Sequence, residues 1–237
     1  MKTVKKRSKK IVGIGAGLVF VAAVFLGALP AAAGEALEQQ VLVDEARITL
    51  KDYLADKDMG WLKNHIQDSK GVMIVPSLVK AGFILGGSGG RGIVLVRDPQ
   101  TGEWSQPAFY TLGGVSFGLQ IGAESSQVIL LIRTQGGLES LYGSSFKLGG
   151  DVTIALGPVG AGAAGKGITA DLVSFSRAKG AYAGLSLDGS VIKVNGDWNK
   201  AYYGKEARPV DILVKKDVSN PGSAKLRQAL AKVGKVK

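Results

Sequence analysis

Residues 115–122 read Val115-Ser116-Phe117-Gly118-Leu119-Gln120-Ile121-Gly122, four bulky apolar residues alternating with four small or polar ones. A period of two places the sets on opposite sides of a pleated strand, so the stretch specifies a strand with one greasy face and one nearly bare face. The signature recurs further on. Val152, Ile154 and Leu156 alternate with Thr153 and Ala155, and Ala183, Leu185 and Leu187 with Gly184, Ser186 and Asp188. Residues 93–96 and 128–132 are unbroken apolar runs, the pattern of strands buried on both faces. Turn residues separate these runs at 98–102, 136–137, 149–151, 188–189 and 195–197. Of the 35 glycines, 27 lie in 71–204. A Gly/Ser/Ala face permits close backbone approach and sharp bends. The fold class expected is α+β: a glycine-rich antiparallel sheet, curled into a barrel or sandwich, with helices packed on it from both chain ends.

Residues 35–68 hold one glycine, Gly60, and carry helical periodicity. Leu37, Val41, Asp44 and Ile48 step down one line, and Leu42, Ala46, Leu50, Tyr53 and Leu54 form a wider apolar stripe. Asp52, Asp56 and Asp58 sit opposite, on a solvated face. Gly60 is expected to interrupt this helix, with Trp61 starting a second. An amphipathic helix covering the sheet is the plain reading. A membrane-surface helix normally has a basic polar face, and 34–70 holds five bases against eight acids. At the other end Ser223 can cap a short helix whose Leu226, Leu230 and Val233 share one side, flanked by Lys225 and Lys232. That helix docks on its own domain or lies on an anionic surface.

The 237 residues contain no cysteine and one histidine, with a net charge of +11. Disulfides, thiolate zinc sites and cysteine nucleophiles are thereby excluded. The charge is local. Six bases precede residue 11, the body 34–204 carries 15 bases and 16 acids, and 205–237 carries nine bases and three acids. A neutral body with a basic tail is no nucleic-acid surface.

The first 33 residues read as a signal peptide. Six positive charges precede the apolar run 11–29, Pro30 ends it, and Ala31-Ala32-Ala33 offers a cleavage site before Gly34. The alternative is a retained anchor, since 19 apolar residues nearly span a bilayer. Either way the expectation is export to a bacterial periplasm or cell envelope, with 34–237 as one domain: helical 35–68, β-rich 71–204, and a basic segment with a short helix, 205–237. An outer-membrane barrel fits poorly, because the unbroken apolar strands lack a polar lumen face.

Catalytic motifs fail on context. Gly160, Gly162 and Gly165 match GxGxxG, followed by Lys166, but 168–175 looks like a strand where a phosphate-binding helix is required, and Gly167 replaces the Ser/Thr a Walker loop needs. No nucleotide or other cofactor is expected. His65 has no second histidine with which to share a metal. No acid–base constellation appears, so the chain is read as a non-enzyme.

The informative stretch is 71–92. An apolar strand is expected to stop at Pro76; Phe83, Ile84 and Leu85 then lie between glycines, with Lys80 and Arg91 to either side. After a turn come Trp104 and Phe109. Apolar and aromatic groups beside cations suit an amphiphile, with tails against Phe83, Trp104 or Phe109 and an anionic headgroup at Lys80 or Arg91. The plainer account makes the aromatics core and the cations solvated.

These residues also carry a family resemblance. The run 72–132 resembles the SYLF domain family in Pro76, in Lys80-Ala81-Gly82-Phe83, in the glycine run 87–92, in Trp104-Ser105, Pro107-Ala108-Phe109, and in Gly114, Ser116, Gly118, Gln120 and Gly122. Ala183-Gly184-Leu185-Ser186 and Tyr202-Tyr203-Gly204 also fit, and the similarity spans 40–220. The resemblance implies a lipid-binding domain. Eukaryotic relatives bind phosphoinositide membranes and some bind actin; bacterial relatives are small exported proteins. An exported chain would not meet cytoplasmic actin, so that activity is not carried over. The expected function is an exported, non-enzymatic binder of phospholipid or a membrane surface through Lys80, Phe83, Arg91, Trp104, Phe109, Lys225 and Lys232. The alternative is an assembly module of the cell envelope, pairing with itself or with another envelope protein.

Overall fold

The computed structural model describes residues 31–160, 167–178, 181–182 and 184–233, with the backbone alone described at 31–35, 83–85 and 116–123. The apolar run 11–29 and the Gly162–Lys166 part of the glycine motif lie outside these residues, as does Ala183. Among the described residues helix α1 is Ala31–Ala55. Asp56 then adopts an extended backbone and accepts a hydrogen bond from the Asp58 amide at 2.9 Å, capping a single 3-10 turn, Lys57–Met59. Helix α2, Gly60–His65, follows directly. The helical break therefore falls at Asp56, and Gly60 opens the second helix. Asp56 also pairs with Arg177 at 3.6 Å, so it is more than a solvated charge.

Strands β1, Gly71–Val96, and β2, Ala108–Ile132, make one antiparallel ribbon, paired from Gly71↔Ile132 to Val94↔Ala108. The alternating stretch 115–122 and the apolar run 128–132 are thus parts of a single strand. Nor does β1 stop at Pro76. Three steps from Val75 to Leu78 face two from Val128 to Ser126, so Pro76 and Ser77 form a bulge, the place within a strand where a missing amide proton is tolerated. A second irregularity separates Gly82 from Ile84. Extended, 26 residues would reach about 85 Å, several times the ~16 Å radius of gyration expected of such a domain. The ribbon folds back instead. A Cβ on Gly90 would stand 2.5 Å from the Ser77 carbonyl oxygen, and one on Gly71 would stand 2.9 Å from that of Leu95. Glycine is what lets the two halves of β1 touch.

The remaining strands line the far edge of β2. After helix α3 (Gln135–Ser140) come β3 (Ser145–Lys147), β4 (Ile154–Leu156), β5 (Leu172–Ala178), β6 (Ala181–Tyr182) and β7 (Val191–Val194). β5 pairs with the C-terminal half of β2 and β7 with its N-terminal half; β3 extends β7, and β4 and β6 flank β5. The β4–β5 pair is parallel, which departs from the all-antiparallel expectation. The crossover 157–171 is long enough to return the chain to the same end of the sheet. Residues 184–187 are not a strand, although Leu187 is buried. The expected strand from residue 168 begins at Leu172, with no helix in 167–171.

Helices α4 (Gly196–Tyr203), α5 (Pro209–Leu213) and α6 (Ala224–Lys232) complete the chain. The sheet is apolar on both faces, as the unbroken runs require. Ile74, Ile93, Leu95, Ile129, Leu131 and Phe175 pack under α1, α2, α4 and α6, while Met73, Val75, Val94, Val128 and Leu130 face Leu138 of α3 and Ile212 of α5. Tyr53 of α1 donates its hydroxyl to the Gln127 carbonyl at 2.8 Å and to that of Phe175 at 3.1 Å, tying the helix to β2 and β5. Burial pushes that phenol well above its ordinary range. The C-terminal helix docks: Leu226, Leu230 and Val233 are buried in the same core.

Candidate functional site

Two features of α1 create a groove. Its stripe of Leu42, Val43, Ala46, Leu50 and Tyr53 is buried against the sheet, which leaves the second line, Leu37, Val41 and Ile48, in solvent, with Leu37 at 64% exposure. Apolar residues thus occupy more of the helix circumference than the sheet covers. Beside this flank the ribbon presents Ser77 at the bulge, Gly90 and Arg91 on β1, and Thr111, the cross-strand partner of Arg91, on β2. Ser77 hydrogen-bonds the hydroxyl of Ser125 at 2.9 Å.

The opposite wall is Trp198 of α4. Asn195 caps α4 by accepting from the Trp198 amide at 3.2 Å, and its own amide proton goes to the Phe109 carbonyl at 2.9 Å. Asn199, fully buried, accepts from the Phe109 amide at 2.8 Å. These bonds bolt α4 to the start of β2 and hold Trp198 edge-on to Phe109, with ring centroids 5.9 Å apart. The Arg91 guanidinium lies 4.4 Å from the centre of the Trp198 ring, a cation–π contact that orients the cation over the cleft. The groove is open to solvent and has a volume of about 690 Å³, lined by Leu37, Val41, Leu42, Arg91, Thr111 and Trp198 together with Glu38 and Glu45. That size suits a small organic ligand or part of a lipid.

Of the seven residues singled out from sequence, Arg91 lines this groove. Trp104 and Phe109 do not: both are core residues, 2% and 1% exposed, so neither side chain is offered to a ligand. Their aromatic area goes to the sheet–helix interface, where Phe109 meets Tyr202 at 5.0 Å and the Trp104 carbonyl accepts from Arg227 at 2.8 Å. Lys80 is half-buried on β1 opposite Glu124 and does not line the groove. Phe83 lies on β1, where the backbone alone is described. Lys225 and Lys232 are exposed on α6, whose apolar side faces the core. His65 ends α2 stacked on Trp61 at 3.9 Å, and among the described residues no three His, Asp or Glu side chains converge as a metal site.

Sequence reasoning missed Trp198, Glu38 and Glu45. The second apolar line of α1 was visible, but its exposure was not, because periodicity does not say which of two stripes meets the sheet.

No described helix is long and apolar enough to cross a membrane. Residues 113–233 match the family described as "Ysc84: Las17-binding protein actin regulator". Relatives include SH3 domain-containing YSC84-like protein 1 of Bos taurus, 33% identical over 163 residues that cover 67% of this chain and 47% of the relative. The Homo sapiens protein of that name is 34% identical over 152 residues, 62% of this chain and 44% of its own. LAS seventeen-binding protein 3 of Saccharomyces cerevisiae is 32% identical over 155 residues, 62% and 33% respectively. The chain thus spans less than half the length of these curated relatives. With the family profile covering half of its length and the ribbon, the bulged proline and the glycine contacts in place, this chain belongs to the Ysc84 family of SYLF domains.

Proposed function

We propose that the chain is an exported, non-enzymatic phospholipid-binding protein that works at a membrane surface. The observation that carries the reading is the groove itself, where the uncovered apolar flank of α1 faces a guanidinium seated on Trp198. Leu37, Val41 and Leu42 supply a wall for an acyl chain. Arg91, with the Thr111 and Ser77 hydroxyls, supplies donors for a phosphate. Such a ligand removes exposed apolar surface from water at about 25 cal/mol per Å². The exposed lysines of α6, Lys225 and Lys232, would add attraction to an anionic surface.

Co-sedimentation of the full chain with phospholipid vesicles tests this. Wild type pellets with vesicles, and Val41→Glu and Arg91→Ala each shift it to the supernatant. Absence from the pellets of every composition, at low and moderate salt, removes the reading.

A second reading, assembly through protein contacts, draws on relatives described as Las17-binding and actin regulators, and on Val115, which is 81% exposed. It requires a stable oligomer or complex without lipid, which size-exclusion chromatography with light scattering detects.

A further inference from the structure

The groove carries charges of both signs, and this bears on the headgroup it selects. Arg91 contributes +1 and Glu38 and Glu45 contribute −2, so the formal charge of the lining is −1. Glu38 and Glu45 are seven residues apart on α1, two turns along one side, and flank Val41. Their Cα positions are therefore about 10 Å apart along the wall. Among the described residues neither has an ion-pair or hydrogen-bond partner, and the contact of the Arg91 side chain is the Trp198 ring. A purely anionic headgroup would bring its phosphate to Arg91 while leaving the two carboxylates facing added negative charge. A cationic amphiphile would have the reverse difficulty at Arg91.

Resting on the phospholipid reading above, we infer that the groove takes a zwitterionic phospholipid headgroup of the phosphoethanolamine type. Its phosphate sits at Arg91 with the Thr111 hydroxyl, and its ammonium lies along the Glu38–Glu45 wall. Both charges of the ligand and all three of the protein are then neighbours of opposite sign. Leu37 and Val41 take the upper part of the acyl chains. The carboxylates are exposed, so each pair contributes little, and the preference is about three- to tenfold.

The full chain is titrated at low salt with monomeric dihexanoyl-phosphatidylethanolamine and, separately, dihexanoyl-phosphatidylglycerol, following tryptophan fluorescence with Trp198 as the reporter beside the site. The ethanolamine lipid binds about three- to tenfold more tightly. The double variant Glu38→Gln, Glu45→Gln abolishes the preference, weakening the ethanolamine lipid and strengthening the glycerol one, whereas Arg91→Gln weakens both. These are surface substitutions, and circular dichroism confirms the fold of each variant. Equal or tighter binding of the glycerol lipid, or a preference that survives the double glutamine change, overturns this inference and leaves phospholipid binding standing. Failure of wild type to bind either lipid overturns both.

Discussion

The two halves of β1 are held together by the absence of two side chains, and adjacent glycines test this directly. In Gly90→Ala the new methyl would stand 2.5 Å from the Ser77 carbonyl oxygen and 3.1 Å from the Leu78 Cα. Both are backbone atoms, so no flexible side-chain end can swing aside. Ordinary contacts lie at about 3.5 Å, so the two halves of the ribbon must part by about 1 Å. Overpacking of this kind costs about 1–3 kcal/mol, and with backbone on the receiving side the upper half of that range applies. For a domain of this size each kcal/mol lowers Tm by about 2–4 °C, which gives a fall of about 4–12 °C. The control is one residue away. A Cβ on Gly89 meets nothing within 4 Å, so Gly89→Ala is neutral or raises stability by up to about 1 kcal/mol through the unfolded chain. Both are Gly→Ala changes in the same strand, so local propensity cancels in the comparison. Thermal unfolding followed by circular dichroism measures the pair. Coincident Tm values for the two variants would refute the folded-back ribbon.

Leu230→Ala should cost about 2–5 kcal/mol in chemical denaturation, because its side chain is fully buried where α6 docks; an unchanged midpoint would mean that the tail does not pack on the core. Tyr53→Phe removes the hydroxyl that bonds the Gln127 and Phe175 carbonyls, the first contact part-buried and the second buried, and should cost about 0.5–1.5 kcal/mol by the same assay; a neutral result would show that those hydrogen bonds are not formed. Burial holds the phenols of Tyr53, Tyr110 and Tyr202 above their ordinary value. A raised native pKa contributes stability that is complete below the unfolded value of about 10 and falls as pH rises beyond it, by about 1.4 kcal/mol per unit for each group. Phenolate absorbance at 295 nm should therefore appear together with loss of the circular dichroism signal, within a few units above pH 10. Ionisation of these phenols along a simple curve centred near 10, with the fold intact, would contradict their burial.

Strand periodicity proved legible in the unbroken apolar runs, because a strand buried on both sides needs apolar residues at every position. Residues 93–96 and 128–132 are buried on both sides, as their unbroken runs demand. Continuity was less legible. Pro76 reads as a stop in isolation, yet pairing with β2 carries the strand past it once a bulge removes the need for its missing proton. Residues 184–187 alternate like a strand and are not one; Leu187 is held in the core while the Leu185 amide donates to the Ser176 hydroxyl. Alternation records burial, and a loop can satisfy it as well as a ladder can.

The candidate site was legible only in part, for a related reason. Trp104, Phe109 and Arg91 are the same kinds of residue that either a core or a binding site would use, and the sequence does not say on which side of a bent ribbon each one falls. From the chain alone come the helix–sheet–helix order, the glycine-rich sheet, the apolar side of α6 and the family resemblance, since all of these rest on local spacing and residue type. Which apolar stripe of α1 is covered, which aromatics are spent in the core, and the meeting of Arg91 with Trp198 across 107 positions of sequence were settled by tertiary structure. Such meetings depend on where the folded-back ribbon and α4 come to rest, and that position is set by all the contacts acting together.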